Sequence, residues 1–125
     1  MTINNFFEQM LLFFPTLKDE YIAKIQDNYE GLDTIIIEDI FMPAVIDLLR
    51  KNSDINLLTS LFDYFEEVSV FADDYLLNVF SITTLEILGN DHDILAIAKK
   101  YMGPETSRLQ YEADVDLGRV VQRSF

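Results

Sequence analysis

Residues 54–70 carry the clearest pattern in the chain, and that pattern is helical. At about 100° per residue, seven apolar side chains fall in one arc and three carboxylates in the opposite arc. The apolar arc contains Leu57, Leu58, Leu61, Phe62, Tyr64, Phe65 and Val68. The acidic arc contains Asp63, Glu66 and Glu67. This spacing predicts an amphipathic helix with one buried face.

The same periodicity recurs between short turns and predicts an all-α fold of about seven helices. Pro15, Gly31 and Pro104 mark three of the breaks. The predicted helices cover residues 2–13, 17–31, 36–51, 54–70, 74–88 and 91–102, and a last one begins at residue 104. Short connections favour stacked antiparallel hairpins, as a HEAT-like short solenoid or a helical bundle, with the first helix covering one end.

The third predicted helix contains two features that allow more than one interpretation. Pro43 lacks the N–H that a helix interior needs, so it must either kink the helix or mark its true first turn. The run Ile35–Ile37 is also typical of a strand, but no partner strand pattern occurs elsewhere, so we predict helix there. The fifth helix is apolar nearly all round, which places it in the middle of the fold.

A weak internal repeat relates residues 47–55 to residues 86–94. Each segment begins with an acidic residue, a branched apolar residue and a leucine, continues with a polar turn, and ends with Asp-Ile. The two segments are 39 residues apart, which is close to the period of HEAT-like helix pairs. Any two helix ends followed by an aspartate cap would look alike, so the pattern indicates either a repeat or coincidence.

The length and composition suit one folded domain. We predict a single helical domain over residues 1–117 and a C-terminal tail over 118–125, which either folds back over the acidic region or frays beyond Gly118. The absence of cysteine excludes disulfides and thiolate metal sites and favours a reducing compartment, hence the cytoplasm. No basic, apolar leader and no apolar run of about 18 residues occurs, so neither a signal peptide nor a membrane span is expected.

Charge is distributed very unevenly along the chain. Residues 52–98, the cation-free stretch, contain no Lys or Arg but nine carboxylates, and the formal net charge of the chain is −13. A field of one sign suits the steering of a cationic partner. It disfavours direct binding of DNA or RNA, which depends on clustered Lys and Arg.

No residue pattern indicates catalysis. His92 is the only histidine and lies between Asp91 and Asp93, but neighbours on a helix point about 100° apart and cannot easily converge on one metal ion. Adjacent carboxylates are more typical of a solvated helix face than of an acid–base pair. No phosphate-binding glycine loop or nucleophile elbow occurs. We therefore predict a protein that is not an enzyme, with no cofactor and no metal.

The candidate partner-binding residues lie on the predicted helices 4 to 6. They are Asp63, Tyr64, Glu66, Glu67, Asp73, Asp74, Asp91 and Asp93. Tyr64 borders the acidic arc, where a rigid ring with a polar tip suits a binding hot spot. Asp73 and Asp74 are also predicted to cap the fifth helix. A further set of aromatic residues either closes the core or pairs two chains, which leaves the oligomeric state open; they are Phe6, Phe7, Phe13 and Phe14.

Four segments carry a resemblance to a family of small, acidic, all-helical bacterial proteins. They are FFPTLKDEY at 13–21, IEDIFMPAVIDLL at 37–49, LFDYFEEVS at 61–69 and AKKYMGPETSRL at 98–109. The Lys-Tyr-Met-Gly-Pro turn is the most distinctive of these. Some similar proteins lie in toxin gene neighbourhoods, so the resemblance implies an immunity or antitoxin role.

Three functions follow as hypotheses. The first is an acidic module that neutralises a basic protein, most concretely a toxin nuclease domain with a positive groove. The second is a HEAT-like scaffold or regulatory adaptor that binds its partner through apolar contacts. The third is an enzyme or small-molecule sensor that uses the core as a pocket.

Overall fold

The computed structural model of the protein describes residues 1–119, and seven helices with no strand occupy that range. The simple helices are α1 (Ile3–Phe13), α2 (Lys18–Ile25), α4 (Ile55–Phe71), α6 (His92–Lys99) and α7 (Pro104–Asp116). Helix α3 is built from Leu32–Ile36, Ile37–Phe41 and Met42–Lys51, and helix α5 from Asp74–Phe80, Ser81–Leu85 and Glu86–Asn90. The all-α prediction is confirmed.

The helix starts follow local capping chemistry. Thr2 and Asn5 form a capping box at α1. Asp54, Asp73 and Asp91 cap α4, α5 and α6, because each carboxylate accepts hydrogen bonds from N–H groups of the first turn. The caps do not lie at equivalent positions of the internal repeat, because Asp54 aligns with Asp93, whereas the cap of α6 is Asp91.

Helix α3 differs from its prediction, because it begins at Leu32 and runs through Pro43. A π-helical turn over Ile37–Phe41 lies just before the proline and is closed by the bond from Met42 N–H to Ile37 O. Proline has no N–H to donate to the carbonyl four residues earlier, so the α ladder is already interrupted at this point. Pro43 therefore lies in the first turn of the α-helical segment Met42–Lys51, and the π turn joins that segment to the part of α3 that precedes it.

A second π turn, Ser81–Leu85, divides helix α5. It contains Thr83, whose hydroxyl donates to Val79 O instead of to solvent. The two π turns contact each other, and the turn in α5 also contacts α7. Helix α5 lies centrally, as its apolar sequence predicts, although Ile82 in its π turn is exposed.

Aromatic side chains hold the core together. Phe6 and Phe80 ring centroids are 6.0 Å apart, Phe65 and Phe80 are 5.4 Å apart, and Phe62 and Phe65 are 5.1 Å apart. All four rings are fully buried. The other phenylalanines of the N-terminal region also join this core, since Phe7 is buried in it, and Phe13 and Phe14 pack against it.

The closest helix packing joins several elements that are distant in sequence. Helix α4 packs on α7 and contacts α1, α3 packs on α6, and α5 packs on both α6 and α7. None of the helices within residues 1–119 has both the length and the apolarity to cross a bilayer. Of the predicted tail, residues 120–125 lie outside the described range.

Candidate functional site

Helices α1 and α4 enclose a groove open to solvent. Two clefts that share Gln9 and Tyr64 form it, and we call it the α1–α4 groove. Its lining residues are Met1, Asn5, Glu8, Gln9, Leu12, Phe13, Ser60, Asp63, Tyr64 and Glu67. Three of the predicted binding residues, Asp63, Tyr64 and Glu67, are therefore brought together here.

Tyr64 lies in the middle of the groove and is half-buried. Its ring centroid lies 6.1 Å from that of Phe6 and 5.8 Å from that of Phe13. Its hydroxyl donates to the Met1 sulfur at 3.7 Å. Burial and, secondarily, the negative charge of Glu67 raise the pKa of Tyr64 to about 12. The phenol is therefore a neutral hydrogen-bonding group throughout the physiological range.

Carboxylates lie on both walls of the groove. Glu8 is on α1, and Asp63 and Glu67 are on α4; all three are exposed. No lysine or arginine is among the lining residues. Asp63 and Glu67 are one helical turn apart, so their like charges repel each other. Leu12, which is 74% exposed, adds an apolar side chain.

Glu66 lies on the other side of α4 and does not face the groove. Its carboxylate accepts hydrogen bonds from the N–H groups of Glu105 (3.0 Å) and Thr106 (2.7 Å), and from the Thr106 hydroxyl (2.9 Å). Helix α7 has no capping side chain of its own, because its N-cap is Gly103. Glu66 therefore caps α7 from a distant helix, which gives its carboxylate a structural role.

The surroundings of Glu66 fit this role. Burial raises its pKa, but the hydrogen bonds from Thr106 N–H, Glu105 N–H and the Thr106 hydroxyl outweigh burial and leave the pKa lowered. A side chain at Gly103 would place its Cβ 2.5 Å from the Glu66 Cδ. Thr106 is itself buried and bonded to Ser69 at 2.9 Å. The cap is thus part of the packed interface between α4 and α7.

Asp73 and Asp74 lie at the turn between α4 and α5. Asp73 caps α5, as predicted, and its N–H donates to Met1 O at 2.8 Å. Since Met1 also lines the groove, this turn lies close to one end of it. Asp74 is exposed in the first turn of α5. The next residue, Tyr75, donates to Asp33 at 2.6 Å.

Asp91 and Asp93 lie in a different setting, at the start of α6. The nearby cleft includes His92 but also two cations, Lys99 and Arg119. Asp91 is occupied as the cap of α6. These residues do not line the α1–α4 groove. Among residues 1–119, no group of histidine and carboxylate side chains is arranged to hold a metal ion.

The carboxylates of the cation-free stretch form no ion pair within the described part of the chain. The ion pairs there join Lys24 to Asp27, Lys51 to Asp47, Arg108 to Glu105 and Glu112, and Arg119 to Asp114. Arg108 and Arg119 therefore neutralise carboxylates of the C-terminal helix and its surroundings. Among residues 1–119, the carboxylates of residues 52–98 therefore have no cationic side chain in direct contact.

A buried polar cluster that the sequence did not reveal ties α5 to the C-terminal segment. Asp114 is 2% exposed and lies 3.5 Å from the Arg119 guanidinium, which also donates to Glu86 O at 3.0 Å. Gln110 donates to Leu85 O and to Asp114. These contacts place Arg119 against α5 and α7. The four-residue spacing of Gln110 and Asp114 was the only local signal for this cluster.

Comparison with known proteins gives a match to a family. No curated protein and no solved structure matches the chain. A family described as "Domain of unknown function (DUF7674)" matches residues 7–115. The matched range contains the α4 wall of the α1–α4 groove, the part of the α1 wall from Phe7 onward, and all of α7 except its last residue. Because the match covers most of the chain, the protein belongs to the DUF7674 family.

Proposed function

We propose that the protein is a non-enzymatic, cytoplasmic binding module that uses the α1–α4 groove to bind and neutralise a basic protein. The observation that supports it is the set of unpaired carboxylates beside a half-buried tyrosine and an exposed leucine. Uncompensated charge on a rigid helical surface raises the association rate of a cationic partner. Aromatic and apolar anchors such as Tyr64 and Leu12 then slow dissociation.

The most concrete partner is the toxic domain of an immunity or antitoxin system in bacteria. Many nucleases carry a positive groove for phosphates, and an acidic inhibitor can occlude such a groove. The resemblance of the chain to proteins found in toxin gene neighbourhoods agrees with this role. The contacts we assign are Asp63, Tyr64 and Glu67, with Asp73 and Asp74 near the end of the groove.

The test is quantitative affinity capture with three forms of the full chain. Wild type is compared with Asp63→Lys/Glu67→Lys and with a control, Glu20→Lys/Glu30→Lys, which changes the net charge equally at exposed positions away from the groove. We expect wild type and the control to enrich the same basic protein from the native host, and the groove variant to lose it. Equal recovery by all three forms would contradict the proposal.

An apolar patch supports a second function, that of a scaffold or adaptor. Val70, Phe71 and Tyr75 are 52%, 67% and 54% exposed around the turn between α4 and α5. An adaptor that binds through this patch would lose its partner on Phe71→Ser substitution but would bind independently of ionic strength. If the α1–α4 groove is the binding site, the Phe71→Ser variant should keep its partner, and binding should weaken as ionic strength rises.

A further inference from the structure

The α1–α4 groove follows α1 for just over two turns and α4 for nearly two. Its α1 wall includes Asn5, Gln9 and Phe13, which lie four residues apart along one helix face. From Asn5 to Phe13 this wall rises about 12 Å, at ~1.5 Å per residue. Ser60, Tyr64 and Glu67 lie four and three residues apart, which also places them along one face of α4. The groove is therefore elongated along the helix axes.

Apolar and acidic groups are arranged in separate positions across the groove. Tyr64, Phe13 and the exposed Leu12 provide apolar surface. Glu8 stands on one wall, and Asp63 and Glu67 stand on the other. A segment that lies in the groove thus meets apolar surface between two acidic rims.

Both walls are α-helices, so their backbone N–H and C=O groups are already paired along the helix. An extended peptide that binds by strand addition needs a free sheet edge, and the two walls of the groove provide none. A helix needs no backbone partner and can place its apolar stripe in a groove between two helices.

We propose that the partner segment bound by the α1–α4 groove is an amphipathic helix with an apolar stripe flanked on both sides by lysine or arginine. The stripe packs on Tyr64 and Leu12, and the flanking cations face Glu8 on one rim and Asp63 with Glu67 on the other. This assignment rests on the proposed function, because it names the chemistry of the partner at the same site.

A designed peptide tests the assignment directly. The probe is a capped Leu/Lys peptide of about 14 residues, four turns at ~3.6 residues per turn, with leucines at positions i, i+3, i+4 and i+7. The control peptide has the same composition in an order that spreads the leucines around the helix. Each is titrated into the full 125-residue chain while backbone amide shifts are followed by NMR.

We expect the amphipathic peptide to bind more tightly than the control peptide and to shift mainly the amides of residues 5–13 and 60–67. Asp63→Lys/Glu67→Lys should weaken binding about tenfold, and Glu20→Lys/Glu30→Lys much less. Equal binding of both peptides, or shifts concentrated outside residues 5–13 and 60–67, would overturn the assignment.

The outcomes separate this inference from the proposed function. If the captured protein depends on Asp63 and Glu67 but the amphipathic peptide does not enter the groove, the helical assignment fails and the proposed function stands. If the peptide enters the groove but the Asp63→Lys/Glu67→Lys variant captures the same protein as wild type does, the proposed function fails.

Discussion

Glu66 and Glu67 are neighbours in sequence with different roles, because successive residues on a helix point about 100° apart. Glu66 points to α7, where three hydrogen bonds hold its carboxylate. Glu67 points to the α1–α4 groove, beside Tyr64. Their charges are identical, so only the position on the helix separates a structural carboxylate from a candidate binding one.

Substitution of these two residues by glutamine should have unequal effects. Glu66→Gln leaves an amide NH₂ facing N–H donors of α7, so we expect a loss of about 1 kcal/mol in the free energy of unfolding, as for loss of an N-cap. Glu67→Gln should cost little, since it also removes the repulsion from Asp63. Urea denaturation of both variants measures the difference, and similar losses would contradict the assignment of Glu66.

The lowered pKa of Glu66 also predicts a pH dependence. A carboxyl whose folded-state pKa is below its ordinary value stabilises the fold above that ordinary value, and the stabilisation disappears as the pH falls through the folded pKa. The stability difference between wild type and Glu66→Gln should therefore persist at neutral pH and shrink below about pH 4.5, the ordinary value. Denaturation curves across this range check it; a difference that grew on acidification would rule the cap out.

At the scale of the helices, local patterns predicted the number and type of the elements but not all of their bounds, and not their contacts. The second helix, predicted to reach residue 31, ends at Ile25, and the third, predicted from residue 36, begins at Leu32. Aspartate caps and proline breaks lie within a few residues of the helix ends they define, so the sequence indicates them directly. The cap on α7 joins residues 39 apart, and the groove joins Gln9 to Tyr64. Such contacts depend on how helices pack, which periodicity does not specify. The π turn before Pro43 was likewise missed, because no simple residue pattern marks it.

The interface between α4 and α7 should show energetic coupling between Gly103 and Glu66. Gly103→Ala would force its Cβ into the Glu66 side chain and displace the cap, so we expect a loss of about 1 to 2 kcal/mol. In the Glu66→Ala background the same change should cost much less, because the obstructing atoms are gone. A double-mutant cycle by urea denaturation measures this coupling. Additive losses would mean that the two residues act independently.

At the scale of the whole molecule, the chain carries a net charge of −13, and its longest cation-free stretch remains unpaired within the described residues. Folding brings these carboxylates closer together, which opposes the compact state. The all-α class and the separation of charge were predictable from composition and periodicity. How the carboxylates are divided among the groove, the helix caps and the start of α6 could be determined only from the fold.

Ionic strength should therefore stabilise the protein. Raising NaCl from about 0.01 to about 0.5 M shortens the Debye length from ~30 Å to well under 10 Å and screens the repulsion. We expect the urea midpoint of wild type to rise, and to rise less in Asp63→Lys/Glu67→Lys, where part of the repulsion is already removed. A midpoint that fell with salt in wild type would contradict the presence of net repulsion.

The most direct measurement of the central claim is the affinity of the captured partner for the full chain as a function of salt concentration. If the negative potential of the α1–α4 groove recruits a basic protein, wild type should lose affinity steeply as salt rises. Asp63→Lys/Glu67→Lys should bind at least about tenfold more weakly at low salt and show a shallower dependence. Equal affinities and equal salt slopes for the two proteins would contradict the claim.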